Sequence, residues 1–150
     1  MSSQMPGAGA LAVGAPIPPL ERALTQVRLV AYGAATWDWH RLHYEPQYAA
    51  ARNIAGPIVD GQMFGALLAE ALLDWLGPRA FIRRMSFRLR AMVFAGETVR
   101  CEGEITSIAA ERDCDVVRVA QRVRVGERIA VEPASAEIVL PNSAQIILPR

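Results

Sequence analysis

Both histidines of this 150-residue chain fall in one short stretch, TWDWHRLHYEP, residues 36–46. The stretch also carries Trp37 and Trp39, two of the three tryptophans, with Asp38 between them. A carboxylate at 38 and an imidazole at 43 can together take up and return a proton near neutral pH, where an unperturbed imidazole titrates. A carboxylate shielded from bulk water is a better base, and two flanking indoles offer a low-dielectric wall. The stretch therefore reads as two proton-handling groups in a partly dry site. A second feature lies at Asp60-Gly61, just ahead of a long apolar run. A glycine at a helix N-terminus lets an oxygen approach unpaired backbone N–H groups at the positive end of the helix dipole.

Other chemistries are poorly supplied. All 16 basic residues are arginine, which excludes a lysine Schiff base. Cys101 and Cys114 stand too far apart for a zinc-binding pair, and they read as reduced thiols. No metal and no cofactor is expected. A net charge of +1 gives no reason to expect nucleic acid or an anionic membrane surface as partner. No secretory signal is read at the N-terminus, and the apolar run near residues 63–76 is too short to span a bilayer. The chain reads as a soluble cytoplasmic protein.

The elements that must hold these residues follow from periodicity. Residues 1–18 are rich in Gly, Ala, Ser and Pro and read as a flexible N-terminal tail, leaving 19–150 as one domain. Thr25 is a candidate cap for a short helix with Leu29, Val30 and Ala34 toward the core. The clearest helix is residues 61–76, capped by Asp60 and stopped by Gly77-Pro78. Its apolar residues lie on nearly every side, so it should be surrounded by protein. Beyond it the pattern alternates with period two in MSFRLR, VRCEGEIT, VVRVAQRVRV and RIAVEPASAEIVL, with Pro133 expected at a bulge or edge. One buried helix before about four antiparallel strands makes an α+β domain; its economical packing is a sheet curved around the helix, the hot-dog arrangement.

At this point the residues resemble a known family. Asp38-Trp-His-Arg-Leu-His43-Tyr-Glu45 with Tyr48-Ala49, then Pro57-Ile-Val-Asp60-Gly61, then FAGETV at 94–99, are similar to the motifs of MaoC-like (R)-specific enoyl-thioester hydratases and dehydratases. The AATWDWHRLHYEP form, the DWLGP helix end and FRLRAMVFAGETV resemble small subunits of bacterial steroid side-chain degradation. The resemblance implies reversible hydration of a trans-2-enoyl thioester of coenzyme A or an acyl carrier protein. Asp38 and His43 would hold the water, with Asp38 as base. The Gly61 N–H would serve as oxyanion hole, and Asp60 and Gln62 would contact substrate. It also implies a homodimer, or a heteromer with a second hot-dog chain.

Two departures stand out: Asp60 replaces the usual His, and Ala69 lies near a frequent Ser. With Gly61, Ala69 suggests room for a branched or polycyclic acyl group. His40 occupies a turn position of the motif and is read as structural. The competing readings are a hot-dog thioesterase using Glu70 or Asp60, and a non-catalytic subunit completing another chain's pocket. Arginines 83, 84, 88 and 90 read as a solvated face, with one or two available to coenzyme A phosphates.

Overall fold

The computed structural model describes residues 11–141. Strand β1 (Pro16–Ala23) leads into helix α1 (Gln26–Thr36), a 3-10 turn (Arg41–His43) and the short helix α2 (Pro46–Ala50). The long helix α3 (Gly61–Leu76) follows, then β2 (Phe81–Leu89), β3 (Thr98–Ala110), β4 (Cys114–Val125) and β5 (Arg128–Pro141). The strands form one antiparallel sheet in the order β1-β3-β4-β5-β2. This is the expected α+β hot-dog arrangement, with α3 packed on the sheet as the central helix. No helix among the described residues is long and apolar enough to cross a membrane.

Helix α3 has the limits its caps dictate. Asp60 Oδ1 accepts from Gln62 N at 2.9 Å, and Gly77 takes a positive φ of 81° that ends the helix. Met63, Phe64, Leu67, Leu68, Ala71 and Leu72 are buried against the sheet. The helix is not enclosed on every side: Gln62, Ala66 and Leu73 lie on an exposed stripe, because one sheet covers only one flank. The strand alternation is met where the sheet faces α3, with Val99, Cys101, Ile105, Val117, Val119 and Val123 all buried. Burial pushes the Cys101 thiol up to about 12, and neither Cys101 nor Cys114 is in a disulfide.

Three details differ from the sequence reading. Residues 16–18, placed in the tail, belong to β1, where Ile17 is buried against the core. Residues 1–10 of the expected tail and 142–150 of the expected domain lie outside the described residues. The prolines of β1 are tolerated because it is an edge strand with a register shift between Ile17 and Leu20. Thr25 does cap α1, and Leu29 is buried, but Val30 and Ala34 face outward. Pro133 sits beside register shifts against both neighbours, yet β5 is an interior strand, so the bulge reading holds and the edge reading does not.

The entrance of α3 is fastened to the segment before β3. Val59 N donates to Val93 O at 2.8 Å and Ala95 N to Pro57 O at 2.9 Å, flanking a bridge between Ile58 and Phe94. That segment is itself closed by Glu97, whose Oε2 accepts from Phe94 N at 2.8 Å while Arg128 Nη2 reaches both its oxygens at 2.7 Å. Burial works to raise the Glu97 carboxyl, but the Phe94 N–H and the Arg128 guanidinium outweigh it and hold the group below its ordinary range. A depressed folded-state value stabilises the protein above the unfolded value, and that contribution is lost as pH falls through the folded one. Glu97→Gln is therefore expected to cost about 1 kcal/mol near neutral pH. The gap from wild type should close as pH drops below 4.5, the ordinary glutamate value. Urea unfolding of both proteins at neutral and acid pH checks this; an equal gap at both would contradict it.

Candidate functional site

The site is assembled by a chain reversal at the end of α1. Trp37 adopts a left-handed conformation, φ 62°, and both its N–H and that of Asp38 return to the Gly33 carbonyl. Asp38 is thus folded back over the helix. A Cβ added at Gly33 would lie 2.6 Å from the Asp38 carbonyl oxygen, so this approach requires glycine. Asp38 Oδ1 then accepts from His40 N at 3.0 Å, which fixes the carboxylate. His40 Nδ1 accepts from Leu42 N and caps the 3-10 turn, the structural position expected for it.

That turn carries His43. Its ring nitrogen Nδ1 lies 2.8 Å from the Ile58 carbonyl, to which it can only donate, leaving Nε2 available to the site. Ile58 N in turn donates to Leu42 O at 2.9 Å, and Gln26 Nε2 donates to the His43 carbonyl at 3.2 Å. Two residues beyond Ile58, Asp60 is 9% exposed. Its Oδ1 is committed to the helix cap, while Oδ2 is buried with no partner among the described residues.

Asp38, His43 and Asp60 each bring a ligand atom within 4.8 Å of the other two. They line a narrow cleft together with Leu29, Tyr32, Gly33 and Met63. One nitrogen and two carboxylates make a donor set that suits a divalent cation as well as a hydrogen-bonded water. Burial, and then the Asp60 charge, raise the Tyr32 hydroxyl above its ordinary 10.0, so it stays a phenol at this wall. Tyr32 and Gly33 were not found by sequence reasoning. They precede the Asp-His motif, and nothing in their own spacing marks them.

The remaining candidates separate. Gly61 opens α3; the N–H groups of Gln62 and Met63 are taken by Asp60, and among the described residues no acceptor is recorded for the Gly61 N–H beside them. The Gln62 side chain is exposed and does not line the cleft. Trp37 is 80% exposed and Trp39 is 45%, packed edge to face 6.1 Å apart; the apolar wall is formed by Leu29, Tyr32 and Met63 instead. The left-handed turn at Trp37 explains why the indoles fall outside the cleft. Glu70 is held by Arg22 Nη2 at 2.5 Å on the β1 flank and is not part of the cleft. The space beside Gly61 and Gly65 is filled from β2: an added Cβ would meet Leu89 Cδ1 at 2.7 Å and Phe87 Cε1 at 2.8 Å respectively.

Gly33→Ala tests the reversal. On an ordinary helix surface this change adds stability through helix propensity. Here it is expected to lower Tm and, by displacing Asp38, to reduce turnover by about tenfold or more, since misplacements near 1 Å are costly. Thermal melts and initial rates check it. A variant as active as wild type would contradict the placement of Asp38.

Against known proteins, residues 11–132 match the family model described as MaoC like domain. The chain is 27% identical over 131 residues to the 3-oxo-4,17-pregnadiene-20-carboxyl-CoA hydratase beta subunit of Mycobacterium tuberculosis, covering 87% of this chain and 98% of that one. The solved (R)-hydratase of Aeromonas caviae involved in PHA biosynthesis matches with a TM-score of 0.79 at 28% identity, over 89% of this chain and 100% of that one. A chain of the ChsH1-ChsH2 complex from M. tuberculosis matches with a TM-score of 0.71 at 25% identity, over 87% and 98%. With the family model spanning the site, α3 and most of the sheet, the chain belongs to the MaoC-like domain family.

Proposed function

We propose that the protein reversibly adds water across the double bond of a trans-2-enoyl thioester, an enoyl-CoA, to give the (R)-3-hydroxyacyl thioester. The observation that carries this reading is the convergence of Asp38 and His43 on one cleft at the entrance of α3. The two hydratases among the relatives support the reaction class. In the forward direction a water held by Asp38 and His43 Nε2 attacks C3. Asp38 takes one of its protons as the new C–O bond forms. The π electrons shift toward the thioester, which becomes an enolate, and the proton is returned to C2 through the Asp38–His43 pair. The Gly61 N–H, at the positive end of α3, receives the developing charge on the thioester oxygen. Loss of one such donor in other enzymes costs about 2.7–4 kcal/mol of barrier.

The acyl group is proposed to be bulky, on the strength of the pregnadiene-carboxyl-CoA hydratase relative. Leu89 and Phe87 fill the flank beside Gly61 and Gly65, so such a group must either move them or take another path along the helix. Leu89 is half exposed, which leaves it room to turn away. The thioesterase alternative through Glu70 is not favoured, since that carboxylate is engaged by Arg22. A purely structural subunit has no need of the intact Asp38–His43 pair.

The exposed stripe of α3 and the half-open cleft suit a second hot-dog chain, either a copy of this one or a related chain, as in the ChsH1-ChsH2 complex. Light scattering of an active preparation is expected to give at least twice the 16.3 kDa chain mass. An active species of monomer mass would contradict this. Asp38→Asn and His43→Ala are each expected to lower kcat for enoyl-CoA hydration by about 10² or more. The double variant should be little worse than the worse single one, because the two groups serve one water. His40→Ala should be mild. Near-wild-type hydration by Asp38→Asn, or a greater loss from His40→Ala in a protein with an unchanged melting temperature, would sink the assignment.

A further inference from the structure

The Asp38–His43 pair does not use everything the cleft offers. Asp60 is 9% exposed, and its Oδ2 is buried with no hydrogen-bond partner among the described residues. A buried carboxylate oxygen without a donor is costly, so native structures supply it with a partner, often a water. The cap does not need this oxygen, because Oδ1 alone accepts from Gln62 N. The Asp60 carboxylate stands beside the pair: one ligand atom each of Asp38, His43 and Asp60 lie within 4.8 Å of one another. Two atoms hydrogen-bonded to one water at a tetrahedral angle stand about 4.6 Å apart, a separation of the same size as that among these three groups.

We infer that Asp60 Oδ2 is a third, catalytic anchor of the reacting water. A water has two hydrogens, so two of three groups can accept from it and the third must meet its oxygen. Asp38 and Asp60 take the accepting places, and His43 has Nε2 free because Nδ1 is committed to Ile58. Asp38 accepts the hydrogen that leaves. Asp60 accepts the one that stays on oxygen and becomes the hydrogen of the 3-hydroxyl group. His43, as an imidazolium with its Nδ1–H held by Ile58, donates its Nε2–H to the water oxygen. In the dehydration direction Asp60 then accepts a hydrogen bond from the substrate's 3-hydroxyl group and turns its oxygen for departure. This rests on the hydratase reading and assigns within it the residue that departs from the usual histidine.

The test separates the two oxygens of Asp60. Asp60→Ser keeps an N-cap of similar quality but has no second oxygen to reach the cleft. It should melt within about 3 °C of wild type, with kcat for enoyl-CoA hydration reduced about ten- to a hundredfold and KM nearly unchanged, the loss expected of one hydrogen bond to a charged group. Asp60→Asn keeps Oδ1 and the volume but presents an amide donor or a misoriented acceptor, and should lose activity similarly. Full kcat in either variant overturns the inference, as does a loss confined to KM. A high-resolution crystal structure of the wild-type protein supplies a readout independent of turnover. It should show a water within about 3.2 Å of Asp60 Oδ2, Asp38 and His43 Nε2, and the Asp60→Ser crystal should lack it or show it displaced. An anomalous-scattering cation at that point, or Oδ2 bonded elsewhere, overturns the inference. If the water is present but the wild-type protein hydrates no enoyl-CoA, the three-point water site stands and the hydratase reading falls.

Discussion

The peptide unit around Ile58 fixes the site. Its carbonyl accepts from His43 Nδ1, its N–H donates to Leu42 O, and the next N–H, of Val59, donates to Val93 O. These three bonds tie the histidine-bearing turn to the entrance of α3 and both to the segment that leads into β3. Each is worth only about 0.5–1.5 kcal/mol net, but a buried carbonyl left without its donor costs more. The bond to Ile58 also selects the ring nitrogen that faces the cleft. Because Asp60 lies two residues beyond Ile58, the same fastening sets how far the helix cap stands from the imidazole.

Around this strut the fold places opposing demands on one helix end. The positive end of α3 favours negative charge. It is occupied in part by the Asp60 carboxylate, and in the proposed reaction the same end would also receive a thioester oxygen at Gly61. The cap satisfies the helix through Oδ1 and leaves Oδ2 buried without a partner among the described residues, a local cost that a structure selected only for stability would avoid. A second tension sits at Trp37, a bulky residue in a left-handed conformation at the end of α1. The strained turn folds Asp38 back over Gly33. Both departures from ordinary stability lie within a few residues of the cleft.

Much of this was legible in the sequence because each signal was local. The limits of α3 follow from Asp60 and Gly77-Pro78, and the sheet from the alternation of valines with arginines on β4. Asp38 and His43 stood out as proton-handling groups in one stretch, and the resemblance of that stretch and of Pro57-Ile-Val-Asp60-Gly61 to the family motifs made the pairing specific. What was missed depends on long-range contact. Strand β1 hides in a proline-rich segment that is a strand only because β3 supplies its edge. The indoles at 37 and 39 read as a wall until the turn at Trp37 puts them outside. Tyr32 and Gly33 matter only once the chain reverses over them. The room expected beside Gly61 is taken by Leu89 and Phe87, which no sequence spacing relates to the helix.

The central claim is that water, held at the Asp38–His43 cleft, adds to C3 of an enoyl thioester. The most direct measurement is mass spectrometry and chiral analysis of the product from a trans-2-enoyl-CoA incubated with the assembled protein in ¹⁸O-labelled heavy water. The account predicts an intact thioester carrying one ¹⁸O at C3 and one deuterium at C2, with (R) configuration at the new carbinol. Release of free coenzyme A with the label in a carboxylate, or an (S)-configured product, would contradict it.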